Sequence, residues 1–149
     1  MPTADGGNVA AAAALPATGE SHRTAAASLS ASRAGEWGAD RVVAEKNNGG
    51  DMVESVLRGA DCALPVRLVS ASRGKAARAE PVTAAFESGR ARLAGRFPEL
   101  EDELCGLTIG GGYEPGTGGG KSPDRADACV WAMTELMKPQ AAEPRIRRV

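Results

Sequence analysis

Glu45 is an acidic residue whose position in the sequence could place its carboxylate in an active site or a ligand site. It closes a short apolar run containing the β-branched residues Val42 and Val43, and the turn-forming residues 47–50 follow after Lys46. The run predicts a buried strand that carries a carboxylate at its C-terminal end. In open α/β sheets, ligands and active sites gather at that edge. Charged residues are also common at solvent-facing strand ends, so Glu45 alone does not establish a site.

Two further carboxylates, Asp124 and Asp127, lie in the clearest helix pattern of the chain. Ser122 can cap this helix, Pro123 suits its first position, and the pattern runs to about Met137. Carboxylate clusters bind Mg²⁺ or Mn²⁺, because hard cations prefer oxygen ligands. Two such ions about 3.5 to 4 Å apart can promote phosphodiester hydrolysis. Asp127 is therefore a candidate ligand together with the strand acid, whereas helix capping is the simpler interpretation of Asp124.

A basic region lies between these acids. Its members are Arg67, Arg73, Lys75, Arg78, Arg90, Arg92 and Arg96, with only Glu80 and Glu87 as acids in the same span. Such a patch could follow a phosphate backbone, and a solvated charged face is an equally good interpretation. The net charge of the chain is −1, so any contact with nucleic acid must come from a local patch.

The composition limits the class of protein. A chain of 149 residues is long enough for one domain with a single core. Three widely spaced cysteines and one histidine argue against a disulfide framework and a zinc site, and favour a reducing cytoplasm. The cysteines and the two tryptophans, Trp37 and Trp131, are interpreted as packing residues. The apolar run at 9–15 is too short for a membrane span, and the Gly-rich stretch at 108–121 lacks P-loop spacing.

Alternating strands and helices must position these residues. Strands are predicted at 41–45 and 66–70, and less distinctly at 8–15, 21–29 and 92–94. Helices are predicted at 51–59, 75–88 with Pro81 near the first turn, 97–107 and 122–137. The buried stripe of the last helix is predicted to comprise Ala126, Cys129, Val130, Met133, Leu136 and Met137. Disorder is the alternative for residues 1–40, because Ala, Gly and Ser bury little apolar area to offset the ordering entropy.

Several strings of the sequence resemble the C-terminal nuclease domain of the large terminase subunit of tailed bacteriophages and gene transfer agents. They are Gly38-Ala39-Asp40-Arg41-Val42-Val43-Ala44-Glu45 with Asn47, Gly49, Gly50, Asp51 and Met52; Arg73-Gly74-Lys75 with Arg78-Ala79-Glu80-Pro81-Val82 and Gly89-Arg90; Phe97-Pro98-Glu99-Leu100-Glu101-Asp102; and Ser122-Pro123-Asp124-Arg125 with Asp127-Ala128 and Trp131-Ala132. They cover about residues 38–137 in the order of the family.

The resemblance implies a ribonuclease H-like α/β fold, with a mixed sheet flanked by helices and a truncated or degenerate N-terminal part. It implies a nuclease that uses two Mg²⁺ or Mn²⁺ ions to cut concatemeric DNA during headful packaging. Glu45 then corresponds to the acid of the second strand and Asp127 to the acid of the closing helix, with Asp124 as an accessory metal-binding position. The implied DNA-binding residues are Arg73, Lys75 and Arg78.

The sequence departs from the family pattern near its start. Relatives carry a first metal-binding aspartate in an Asp-Pro-Pro-like turn, and Met1-Pro2-Thr3 corresponds to the residues just after that turn. Asp5 is the nearest substitute. Residues 28–37 are expected to be shortened where relatives have a helix before the Glu45 strand, and the ATPase motor of full-length terminases is expected to be missing. A non-catalytic module that binds DNA or a portal, and another ribonuclease H-like enzyme such as a transposase or resolvase, are the alternatives.

The expected organisation has three parts. Residues 1–37 form poorly defined strands or disorder, 38–138 the nuclease domain, and 139–149 a basic flexible tail. The expected partners are double-stranded DNA, the portal, and the small terminase subunit or a separate ATPase chain, with no membrane. The expected location is the cytoplasm of a bacterial host cell.

Overall fold

The computed structural model describes residues 9–11, 20–46, 50–61, 63–107 and 123–138. Several predictions fall outside these residues. They concern Asp5, the turn at 15–19, the Gly-rich stretch at 108–121, the Ser122 cap and the tail at 139–149. None of the described helices is long and apolar enough to cross a membrane.

Three parallel strands form the described part of the sheet. They are β1 Val9–Ala11, β2 Arg41–Glu45 and β3 Val66–Val69, in the spatial order β1-β2-β3. The register pairs Ala11 with Val43 and Glu45 with Val69. Strands β2 and β3 confirm the sequence prediction, and β1 covers part of the predicted 8–15 strand. The predicted strand at 92–94 is wrong, and the described part of the sheet does not confirm the mixed sheet.

Five helices surround the described sheet. They are α1 Glu20–Glu36, α2 Gly50–Ala60, α3 Lys75–Glu87, α4 Pro98–Cys105 and α5 Asp124–Leu136. The last four confirm predicted helices to within a few residues. Pro81 lies in the second turn of α3, not near its first, and the helix continues through it. Just beyond the end of α3, Gly89 has a φ of +68°, a left-handed conformation that favours glycine.

Helix α1 replaces the predicted strand at 21–29, which is wrong. Its 17 residues are rich in alanine, the best helix former, and contain no valine or isoleucine that would favour a strand. Ala27, Ala31 and Ala34 recur at helical spacing and pack into the core beside Val42. A full helix therefore leads into β2. The expected shortening of residues 28–37 relative to the family stays a prediction.

Side chains alternate along β2, so the contacts of its residues show which helices cover each face of the sheet. Val42 and Ala44 belong to the core cluster that includes Ala27 of α1 and Leu57 of α2, so these helices cover one face. Val43 and Glu45 point the other way. Helix α5 packs against β1 and β2, and α3 and α4 pack against α5. The described elements thus form layers of helix, sheet and helix.

The buried stripe of α5 is shorter than predicted. Ala126 and Val130 are buried, whereas Leu136 and Met137 are exposed. An acid, Glu135, takes the buried position there. The packing role predicted for Trp37 is wrong, because Trp37 is 73% exposed.

Candidate active site

Glu45 lies at the carboxyl edge of the parallel sheet, as its position after two valines predicts. The residue is only 6% exposed. Its Oε2 accepts a hydrogen bond of 3.0 Å from the indole Nε1 of Trp131 on α5. The sheet continues one residue further, where the Lys46 N–H donates to the carbonyl of Val69 at 2.8 Å. Glu45 is therefore held on both its backbone and its side chain.

Asp127 lies in the first turn of α5, one turn before Trp131. Its Oδ1 accepts a hydrogen bond of 2.6 Å from Arg78 Nη2, and its Oδ2 lies 3.6 Å from Lys75 Nζ. Both cations come from the first turn of α3. The carboxylate of Asp127 is thus largely enclosed and paired with two positive charges.

Arg78 connects the two acids. Its guanidinium carbon lies 4.8 Å from the centroid of the Trp131 ring, within the range of a cation–π contact. Its Nη1 donates to the carbonyl of Arg73 at 2.8 Å. We name the five residues Glu45, Asp127, Trp131, Arg78 and Lys75 the Glu45–Asp127 cluster. The path from one acid to the other runs through the indole and the guanidinium.

The direction of α5 explains how the cluster forms. Trp131 meets Glu45 at the carboxyl end of β2, and Glu135 meets Arg41 at its amino end. Helix α5 therefore runs antiparallel to β2. Asp127, one turn before Trp131, consequently lies beyond the carboxyl edge of the sheet, where α3 begins after β3.

Glu135 is a buried acid that sequence analysis missed. Its side chain is 2% exposed, and it accepts hydrogen bonds from Arg41 Nη1 at 2.6 Å and Lys138 Nζ at 2.7 Å, with Arg67 Nη1 2.9 Å away. Burial by itself would raise the pKa of Glu135, but the hydrogen bonds of Lys138 and Arg41 and the charges of Lys138 and Arg67 lower it below the ordinary value. These contacts fix the end of α5 to β2 and β3.

Glu103 of α4 satisfies the N-terminus of α5. Its Oε2 accepts hydrogen bonds from the backbone N–H groups of Arg125 at 2.8 Å and Ala126 at 3.0 Å. Burial acts to raise the pKa of Glu103, but the hydrogen bonds from the Ala126 backbone and from Arg125 lower it overall. No side chain caps the helix from Pro123, its N-cap residue. A residue of another helix therefore performs the capping function.

Some of the predicted site residues belong to the Glu45–Asp127 cluster, and others lie outside it. Asp124 is exposed in the first turn of α5, and the described part of the chain gives it no ion pair. Arg73 is exposed and contributes its carbonyl to the cluster, while Lys75 is half-exposed. Arg78 is enclosed, with a side chain 10% exposed. The structure thus joins Glu45 and Asp127 but leaves Asp124 outside the cluster.

The interpretation of Trp131 as a packing residue is incomplete. The residue is half-buried, but its N–H and ring face both contact cluster members. The available signal is its spacing of four residues from Asp127, which places both on one face of α5. Cys129 does pack, and its burial raises the pKa of its thiol.

The oxygen donors of the site decide whether it could bind a divalent metal ion. Carboxylate oxygens of Glu45 and Asp127 have the chemistry that Mg²⁺ and Mn²⁺ prefer. Within the described residues, however, no group of three or more acids, histidines or cysteines could hold an ion. Asp127 is already paired with Arg78 and Lys75. The described residues therefore do not form a metal centre by themselves.

Comparison with protein families gives a match over most of the chain. The sequence model of a family described as a terminase RNaseH-like domain matches residues 3–136. This range includes both acids of the cluster and every described strand and helix. No curated protein and no solved structure gives a significant match.

Proposed function

Because the chain belongs to the family of terminase RNaseH-like domains, we propose that it is the DNA endonuclease domain of a phage-type terminase large subunit. The substrate is concatemeric double-stranded DNA, cut during genome packaging in a bacteriophage or a gene transfer agent. Glu45 and Asp127 are its catalytic and metal-binding acids, with Mg²⁺ or Mn²⁺ as the cofactor. The family favours this function over a transposase or resolvase.

One observation carries the proposal: two acids from distant parts of the sequence meet in one cluster at the carboxyl edge of the sheet. The contacts are Trp131 Nε1 to Glu45 and Arg78 Nη2 to Asp127. Burial of a carboxylate is costly unless it is paired and hydrogen-bonded, so fixing both acids at this edge favours a functional role. Asp124 stays a proposed accessory ligand.

The cluster residues have separate roles in this proposal. Trp131 orients Glu45 through its single N–H donor, and Arg78 orients Asp127. Arg73 and Lys75, which are more exposed than Arg78, contact the DNA backbone. A further metal ligand must come from outside the described residues, and Asp5 is the candidate. DNA binding by Arg78 stays a prediction, since its guanidinium faces Asp127.

The proposal also includes the partners, the location and the bounds of the domain. The partners are the portal, and the small terminase subunit or a separate ATPase chain. The domain works in the cytoplasm of a bacterial host cell. Residues 38–138 form the nuclease domain, although the described α1 shares its core with β2 and α2.

A second function is favoured by the pairing of Asp127. An acid already neutralised by Arg78 and Lys75 has less need of a metal ion. The same fold would then serve as a non-catalytic terminase module that binds DNA or the portal. This alternative predicts DNA binding without cleavage.

Nicking of supercoiled plasmid separates the two functions. The chain is incubated with Mn²⁺, with Mg²⁺ and with a chelator, beside Glu45→Gln and Asp127→Asn. We expect metal-dependent nicking that falls about 100-fold or more in both variants, because each removes a proposed ligand. Asp102→Asn, an exposed acid of α4 outside the cluster, is the matched control and should retain most activity.

The same samples are tested for DNA binding by gel shift. Binding without nicking by the folded, unaltered chain would contradict the endonuclease and support the non-catalytic module. Loss of both would contradict both functions. Nicking that survives in Glu45→Gln would show that the activity does not use this cluster.

A further inference from the structure

The segment between α3 and α4 carries three arginines, Arg90, Arg92 and Arg96, and we name residues 88–97 the arginine loop. The loop contains no acid. All three side chains are exposed, and Arg90 Nε donates a hydrogen bond of 3.0 Å to Ser88 Oγ. Within the described part of the chain, none of the three forms an ion pair.

Most other cations of the described structure have an acid as a partner. They are Arg33, Arg41, Arg58, Arg67, Lys75, Arg78, Arg125 and Lys138. The basic region of the sequence, from Arg67 to Arg96, is thereby divided. Its earlier members largely neutralise enclosed acids, whereas the charge of the arginine loop is available to an outside partner.

The backbone of the arginine loop is fixed at both ends. Gly89, in its left-handed conformation, donates its N–H to the carbonyl of Phe86 at 3.0 Å. The Ala91 N–H donates to the carbonyl of Ala85 at 3.0 Å, and Ala91 is only 9% exposed. At the other end, the Phe97 N–H donates to a side-chain oxygen of Glu101 at 2.8 Å. A loop that is already ordered loses less conformational entropy when it binds a partner.

The acids of α4 do little to cancel this charge. Glu101 is occupied with the Phe97 N–H, and Glu99 pairs with Arg125 at 2.8 Å. Glu87, at the end of α3, is the exposed acid that precedes the loop in the sequence. Three arginines therefore face one nearby acid that has no contact with them in the described structure.

We propose that the arginine loop binds the phosphate backbone of double-stranded DNA, at a place separate from the Glu45–Asp127 cluster. The inference rests on the proposed function in taking DNA as the partner. Helix α3 begins beside Asp127 and ends at the loop, and its 13 residues span about 20 Å. That length corresponds to roughly six base pairs along a duplex. The loop thus extends the proposed DNA contact well beyond Arg73 and Lys75.

The residue types favour DNA over an acidic protein. All three cations are arginines, whose planar guanidinium donates two hydrogen bonds at once to a phosphate group. The centre of a protein interface is poor in charged residues, whereas this loop has three charges within seven positions. A duplex presents a negative charge about every 1.7 Å along its axis. Dense, evenly spaced charge of that kind matches the loop.

DNA affinity of a double variant, Arg92→Gln with Arg96→Gln, tests the proposal. Fluorescence anisotropy with a short labelled duplex is measured in the presence of a chelator, at salt concentrations from about 50 to 200 mM. Losing two phosphate contacts should reduce the slope of log affinity against log salt by about 2. The affinity near 0.1 M salt should fall roughly 20- to 100-fold, and equally for two duplexes of unrelated sequence.

The matched control is Arg33→Gln with Arg58→Gln. It removes the same charge from exposed positions of α1 and α2 that pair with acids of their own helices. Its DNA affinity should change by less than about 3-fold. An equal loss in the two double variants would overturn the proposal, because only net charge would then matter. Unchanged DNA affinity in the loop variant, with or without a loss of affinity for poly-glutamate, would overturn it too, and such a loss would indicate an acidic protein partner.

A measurement on the unaltered chain covers the case in which the loop variant does not fold. Phenylglyoxal modifies accessible arginines, and mass spectrometry locates the modified residues. A saturating duplex should slow the modification of Arg92 and Arg96 about 5-fold or more, while Arg33 stays reactive. Undiminished modification of the loop would overturn the proposal.

The result is distinguishable from that of the nuclease assay, since binding is measured in chelator and needs no cleavage. DNA binding that depends on the loop, without any nicking by the unaltered chain, would contradict the endonuclease and support the loop. Nicking by the unaltered chain, with full DNA affinity in the loop variant, would support the endonuclease and overturn the role of the loop.

Discussion

Trp131 combines a polar and an apolar function in one side chain. Its indole N–H donates to Glu45, while its ring lies beneath the guanidinium of Arg78. Tryptophan is the only residue that offers a large ring face and one donor without an acceptor. It can therefore contact an acid and a cation at once, and so link Glu45 to the arginine that binds Asp127.

Replacing Trp131 by phenylalanine tests this function. Phenylalanine keeps a ring under Arg78 but leaves the enclosed Glu45 without its indole donor. We expect the free energy of unfolding to fall by about 1 to 3 kcal/mol, the cost of an unpaired buried polar group. Urea denaturation followed by circular dichroism measures the change.

Trp37→Phe is the control for this substitution. Trp37 is 73% exposed, so its replacement should change the free energy of unfolding by less than about 0.5 kcal/mol. Equal losses in the two variants would show that the hydrogen bond to Glu45 contributes nothing specific.

The acids of the site are predictable from local sequence, whereas their partners are not. Glu45 comes after two β-branched residues and precedes a turn, and Asp127 lies near the start of a clear helix pattern. The bond from Arg78 to Asp127 depends instead on how α3 packs against α5. No local pattern encodes that packing. The same reason explains why sequence analysis misses a charged residue, Glu135, at a buried position.

Among the helices, α5 is fixed to the rest of the described structure by polar contacts along its length. Glu103 bonds to its first backbone N–H groups, Trp131 contacts Glu45 in the middle, and Glu135 contacts Arg41 near its end. Apolar packing through Val130 adds to these contacts. The position of Asp127 relative to the sheet is therefore determined by the whole helix.

The Glu103 contact can be tested by substitution with alanine. Glu103→Ala leaves two backbone N–H groups at the start of α5 without their acceptor. We expect a loss of about 1 kcal/mol in the free energy of unfolding, as for the loss of a helix cap. Hydrogen exchange at the amides of Arg125 and Ala126 should become faster.

Glu99→Ala is the control for α4. Glu99 also pairs with Arg125, but its side chain is well exposed and accepts no backbone hydrogen bond from α5. Exposed ion pairs contribute little, so its loss should leave the two amides protected. Fast exchange in both variants would contradict a specific capping role for Glu103.

The helices and strands are predictable to different degrees. Turn-forming residues and apolar spacing identify α2 to α5, and β-branched residues identify β2 and β3. The strand prediction fails for α1, because the core face of this helix consists of alanines such as Ala27 and gives a weak periodic signal. In the structure this alanine face packs against α2 and the core.

The molecule as a whole has charged clusters at opposite ends of β2. Arg41 and Glu135 meet at the amino end, and the Glu45–Asp127 cluster lies at the carboxyl end. Between them the core is built mainly from alanine and valine, with Leu57 as its largest fully buried side chain. Such a core buries little apolar area per residue, so the polar contacts carry a larger share of the stability.

Stability should therefore decrease in mild acid. The pKa values of Glu103 and Glu135 are lowered in the folded chain. Each acid stabilises the fold fully above its unfolded pKa of about 4.3, and this contribution is lost as the pH falls through the lower folded value. We expect the urea midpoint of the unaltered chain to drop steeply between about pH 5 and pH 3.

Glu135→Gln isolates one part of this pH dependence. The variant should be less stable near pH 7 by about 1.5 to 3 kcal/mol, because a charged hydrogen-bonded network loses its acid. The difference from the unaltered chain should shrink as the pH falls, since protonation removes the same charge. A difference that stays constant from pH 7 to pH 3 would show that the charge of Glu135 does not stabilise the fold.

The contrast between the two tryptophans also has an optical consequence. Trp37 is open to water, whereas the indole of Trp131 is half-buried beneath a guanidinium. The fluorescence of the chain is therefore the sum of a hydrated emitter and an enclosed one. A quencher dissolved in the buffer should extinguish the first more readily than the second. The residual emission then reports on the surroundings of Glu45 without any attached dye.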